Sequence, residues 1–230
     1  PEAAVENITR ETFRLIDQAA ALNQIGFGLP ADHAFYETGD DRKQVDAFSP
    51  EPEFDHCYAD LKRLEGGILS FALSLQSQPL EPDESRRLGQ LIPAVRNAVH
   101  AAKSMKDTHE DLEAFEESVN DRFNAYFDQF REAVREFYEL LNALQSASVP
   151  ALRFEALVDL KNESEKLHQR MHRRIYAEVS RRDLSEVEIS TLLNVNRELY
   201  VANQSLISSL ADVLLDMEAA DDFASIPVAR

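Results

Sequence analysis

The sequence predicts an all-α protein, and three observations carry that prediction. Glycine occurs six times in 230 residues and never after Gly89. Proline is confined to a few places, and the long stretches between prolines keep apolar residues at three- and four-residue steps. The third observation is a repetition. LIPAVRNAVHAAKSMKDTHEDL, from Leu91, aligns without gaps on LLNVNRELYVANQSLISSLADV, from Leu192. Leu91 then matches Leu192, Arg96 matches Arg197, Ala101 matches Ala202, Ser104 matches Ser205 and Asp111 matches Asp212. Apolar positions also coincide: Ile92 with Leu193, Met105 with Leu206, Leu112 with Val213. Two similar helical units are the natural reading. The competing one is that two amphipathic helices align this well without a common origin.

The elements follow in order. Residues 2–24 predict a first helix with Val5, Ile8, Thr12, Leu15, Ile16, Ala19 and Leu22 on its buried side. Gly26-Phe-Gly28-Leu-Pro30 ends it. Residues 26–54 lack periodicity and predict a long loop. The segment 1–53 therefore reads as a helix and loop connecting from an upstream part. With no initiator methionine ahead of Pro1, the chain reads as a piece of a longer protein. A second helix spans about 54–76, with Leu61, Leu64, Ile68, Phe71, Ala72 and Leu75 as its core face. Gly66-Gly67 in mid-helix costs about 1 kcal/mol per residue relative to alanine, so a close helix contact is expected there.

A third helix runs from Asp83 to about residue 117, with Asp83 and Glu84 at its positive end. Pro93 lies inside it and predicts a kink. The stripe Phe115, Val119, Phe123, Tyr126, Phe127, Phe130, Val134, Phe137, Tyr138, Leu141 and Leu144 continues the helical pattern. Ser118, Asn120 and Asp121 supply a cap and predict a break at 117–121, against one rod from 83 to 146 about 95 Å long. Helix-spaced aromatics are read as core rather than as a ligand box. After the turn 146–150, a fifth helix reaches about Arg181, with Leu157, Leu160, Leu167, Met171, Ile175 and Val179 inside. Ser185 and Glu188 form a capping box for a sixth helix reaching about Met217. The tail EAADDFASIPVAR is expected to fray.

Composition excludes several functions. The net charge of −18 opposes phosphate backbones and anionic headgroups, so neither nucleic acid nor a lipid surface is an expected partner. No run of about 18 apolar residues exists to span a bilayer. The single cysteine, Cys57, has no internal disulfide partner, which fits a reducing compartment.

No nucleophile–base motif, phosphate loop or dinucleotide fingerprint occurs. Two places carry candidate chemistry. Arg96, His100, Lys103, Asp107 and Asp111 form an ionisable stripe on the third helix, opposite its apolar face. That is either a solvated face of spaced opposite charges or a docking or ligand surface. His168 and His172 are four apart with Glu165 on the same side, which is metal-ligand spacing. Arg170, Arg173 and Arg174 beside them oppose a bound cation. Asp107 and Asp111, with Glu110, could hold one ion weakly. A hydrolase-like use of His168 and His172 is the enzymatic alternative.

Residues 54–216 resemble the PhoU fold. YADLKRLEGGILSFALSLQSQPLEPDESRRLGQLIPAVRNAVHAAKSMKDTHEDLE is similar to the PhoU-like C-terminal region of bacterial sodium/phosphate cotransporters. NDRFNAYFDQFREAVREFYELL and LSEVEISTLLNVNRELYVANQSLISSLADVLL are similar to the rest of it. The resemblance implies six main helices in two antiparallel three-helix bundles, one repeat at about 54–117 and the other at about 120–217. It implies a regulatory domain, not an enzyme, at the cytoplasmic face of the inner membrane. The transmembrane part of the same transporter would be its partner, with a second copy of the chain as another candidate. PhoU proteins carry an E-x-x-x-D metal motif on each repeat. The matching positions here are Lys103-Ser-Met-Lys-Asp107 and Gln204-Ser-Leu-Ile-Ser208. A lysine in the first and the loss of both carboxylates in the second argue against metal clusters, so no cofactor is expected. The alternative is a free-standing, metal-binding phosphate-signalling regulator of the PhoU type.

Overall fold

The computed structural model describes residues 2–30, 54–145, 147 and 149–227. The described residues form seven α-helices and no strand. These are α1 (Glu2–Gly26), α2 (Phe54–Gln76), α3 (Pro82–Glu117), α4 (Asp121–Gln145), α5 (Pro150–Arg181), α6 (Glu186–Leu214) and α7 (Met217–Ser225). Most of the predicted 26–54 loop lies outside the described residues.

Local chemistry sets the boundaries. At the end of α1, Leu29 N donates to Gln24 O and Gly28 N to Ile25 O. Gly28 sits at φ 65°, the left-handed conformation this glycine-closed helix end requires. Pro82 opens α3, where its missing N–H has no helical partner to lose, and the Glu84 carboxylate accepts from Glu81 N at 3.0 Å. Between α3 and α4 the chain breaks, as the cap residues predict. Asn120 Oδ1 accepts from Arg122 N, and its amide donates to Asp183 O and Glu188 Oε1. One asparagine thus starts α4 and ties the break to the α5–α6 turn. Ser185 and Glu188 make the expected reciprocal cap on α6.

The tail departs from expectation. Residues 217–225 form α7, capped by Asp216 Oδ1 accepting from Ala219 N, and Phe223 is buried. The sixth helix therefore ends at Leu214, and a short seventh follows.

The two helices of the repetition, α3 and α6, form the spine and run antiparallel. Arg87 reaches Asp212 and Val213, Ala94 meets Ser209, His100 meets Ser205 and Asp111 meets Asn194. Helices α1 and α2 pack with α3, and α4 and α5 pack in sequence toward α6. The buried residues of all seven helices join in one cluster. Helix α1, read from sequence as a connection, lies in that cluster with Leu15, Ile16 and Ala19 fully buried. Pro93 sits within the unbroken span of α3, and the carbonyl it leaves without a helical donor belongs to exposed Gly89.

The aromatic face of α4 is core: Phe123, Tyr126, Phe130, Phe137 and Tyr138 are buried. Three predicted core residues, Phe71, Val119 and Val179, are exposed, and Leu64, Phe127 and Leu167 are half-buried. Val119, in the break, is 99% exposed. Of the adjacent predicted pair Phe71 and Ala72 only Ala72 is buried, and Val179 gives way to Glu178, because the helix phase advances by only one of the two permitted steps at each site. Among the described residues nothing lies within 4 Å of a Cβ added at Gly66 or Gly67, so none of the seven helices approaches there.

Candidate functional site

The stripe on α3 is a surface. Arg96, His100, Lys103 and Asp107 are exposed, and Asp111 is half-buried. Spacing of four residues lets Lys103 donate to Asp107 at 2.5 Å. That carboxylate raises the Lys103 ammonium above its ordinary range, with Tyr58 of α2 and Glu198 of α6 adding smaller effects. His100 Nδ1 lies 2.9 Å from Ser205 Oγ, and Asn194 donates to the Asp111 carboxylate. Two of the five stripe residues therefore reach across to α6.

Asp212, the repeat partner of Asp111, is held likewise by an asparagine of the facing helix, here Asn97. Burial pushes the Asp212 carboxyl up to about 6, against the Asn97 hydrogen bond and the Arg87 guanidinium, which favour the anion. Asp221 of α7 adds to the rise.

Beside this seam lies a recess of about 390 Å³. Its wall on α6 is Tyr200, Val201, Gln204, Ser205, Ser208, Ala211 and Asp212, a helical run on one side. Lys161 of α5 and Ala220, Phe223 and Ala224 of α7 complete it. Lys161 Nζ donates to Ile226 O at 2.8 Å and lies 5.2 Å from the Phe223 ring centre. Burial lowers the pKa of this ammonium. Gln204 and Ser208 both face this recess.

The histidine pair is differently disposed. His168 stacks on Tyr200 at 4.5 Å, and its Nδ1 donates to Asn196 O at 3.3 Å. His172 is exposed and packs on Tyr176. Glu165 is engaged by the Tyr200 hydroxyl and the Gln169 amide. Among the described residues, no three His, Cys, Asp or Glu side chains are grouped to hold a metal ion. That includes the sequence candidates Asp107, Asp111, His168 and His172.

Lys161, Tyr200 and Phe223 were not legible as site residues. Lys161 stands in a run of mixed charge, and Phe223 lies in the tail expected to fray. The available signal was the match of Asp212 to Asp111.

A second polar cluster is structural. Glu178, 1% exposed, accepts from Arg122 and from the Tyr126 hydroxyl at 2.9 Å. The Arg122 hydrogen bond is the largest influence holding its carboxyl below the usual range. Together they fasten the start of α4 to the end of α5. Comparison with protein-family models, curated proteins and solved structures gave no match.

Proposed function

We propose that the chain is a non-enzymatic regulatory domain of a sodium-dependent phosphate transporter, acting through helix-face contacts with the transporter's membrane part. One observation carries the reading. The two helices of the repetition cross antiparallel, and the repeat-related Asp111 and Asp212 are each tied to an asparagine of the other helix. This supports two related units meeting along α3 and α6, as the PhoU resemblance implies, although the first unit takes in α1, which packs on α2 and α3, and so begins ahead of the 54–117 repeat expected. The stripe Arg96, His100, Lys103 and Asp107 is exposed beside that seam and supplies the contact face. No helix among the described residues is long and apolar enough to cross a membrane, so the membrane part would lie elsewhere in the protein.

The test is sodium-driven uptake of labelled phosphate into proteoliposomes carrying the full-length protein or a version lacking this domain. Uptake should require the sodium gradient, and removing the domain should change its rate. Sodium-independent behaviour, or identical rates with and without the domain, would refute the reading. Elemental analysis separates the metal-binding alternative: two or more transition-metal ions per chain, lost on Asp107→Ala, would favour that alternative instead.

A further inference from the structure

We infer that the recess between α5, α6 and α7 binds a small organic anion, a carboxylate on a short apolar body, with Lys161 as its charge anchor. The inference rests on the recess alone and does not depend on the transporter reading. A volume of about 390 Å³ suits a compact ligand. The walls divide by chemistry. Val201, Ala211, Ala220, Phe223 and Ala224 offer apolar contact; the Ser208 hydroxyl and the second amide hydrogen of Gln204, whose first goes to Lys161 O, offer hydrogen-bond donors, while the Ser205 hydroxyl is taken up by His100.

Lys161 supplies the charge. Its ammonium has three donors, and the Ile226 carbonyl uses one. Among the described residues no carboxylate pairs with it. Were this lysine only a cap on the last carbonyls of α7, it would need no recess beside it lined by hydroxyls and an amide.

Asp212 is the obvious objection, since it shares the lining. Its carboxyl is already engaged by Asn97 and lies under the influence of Arg87 from α3. It is therefore a weaker anchor for a cation than Lys161 is for an anion. The excess of acidic residues over the whole chain disfavours anions generally, so the expected dissociation constant is on the order of 1 mM.

Butyrate is the probe, titrated into the isotope-labelled 230-residue chain and followed by amide chemical shifts. The expected result is saturable shifts at Ser205, Ser208, Ala220 and Ala224, weakened about tenfold or more by Lys161→Gln. Lys106→Gln, whose ammonium lies over Tyr58 on α2, should leave binding within about twofold. Ala224 is exposed, so Ala224→Phe should fill the recess without disturbing the fold and abolish the shifts. No saturable shifts, or shifts unaffected by both Lys161→Gln and Ala224→Phe, would overturn the inference. Butylamine binding as tightly as butyrate would overturn it by making Asp212 the anchor. Inorganic phosphate binding as tightly would overturn the requirement for an apolar body.

Discussion

Replacing Asp212 by asparagine should stabilise the protein at neutral pH. The carboxyl is pushed up to about 6 from an ordinary value of 3.8 because folding removes it from water. Between those values the folded chain binds more protons than the unfolded one, so this group's contribution falls as pH rises through the window. Above about pH 6 the folded state carries the whole cost of a desolvated carboxylate. At about 1.4 kcal/mol per pH unit the limit is about 3 kcal/mol. Partial exposure of the side chain screens it, leaving about 1–2 kcal/mol. Asparagine keeps an oxygen to accept from Asn97 and carries no charge. Asp212→Asn should therefore raise the melting temperature at pH 7.5 by about 2–8 °C, with the gain shrinking by about half at pH 5.0. Urea unfolding at the two pH values measures it. A destabilised variant at pH 7.5, or a gain equal at both pH values, would refute the reasoning.

Three further substitutions test the packing. Phe130→Ala removes a fully buried ring and should cost about 3–5 kcal/mol, whereas Val119→Ala, at 99% exposure, should leave the melt within about 0.5 kcal/mol; an unchanged melt for Phe130→Ala would remove the α4 aromatic face from the core. Glu178→Gln should cost about 1–3 kcal/mol at neutral pH. Because the Glu178 carboxyl is held below its ordinary value, its contribution is present above about 4.5 and lost as pH falls further, so variant and parent should converge in acid. Gly66→Ala meets open space on a helix and should stabilise by about 0.5–1 kcal/mol; destabilisation in a melt would show a close neighbour after all.

The helices were legible because their ends are punctuated by chemistry that acts locally. Gly28, Asn120, Pro150 and the Ser185–Glu188 pair each stop or start a helix with bonds reaching only a few residues. Core faces were legible in mid-helix and less so near the ends. A 3.6-residue repeat permits a step of three or four, and only packing chooses between Glu178 and Val179, or buries just one of the two predicted neighbours Phe71 and Ala72. The glycine pair misled because glycine in a helix signals a close approach or nothing, and sequence does not separate the two. α7 was missed because its stability comes from burying Phe223 under α5 and α6, a tertiary effect. The stripe could be read because a single helix carries it. The recess could not, because Lys161, Gln204 and Phe223 come together only through the packing of three helices.

We propose that the charged face of α3 transmits regulation. The most direct test is the double variant Arg96→Glu/Lys103→Glu in the full-length protein, with sodium-driven phosphate uptake as the readout. Both side chains are exposed, so the melting temperature should hold within about 2 °C while uptake changes by about fivefold or more. Uptake indistinguishable from the parent, at equal protein in the vesicles, would contradict the account.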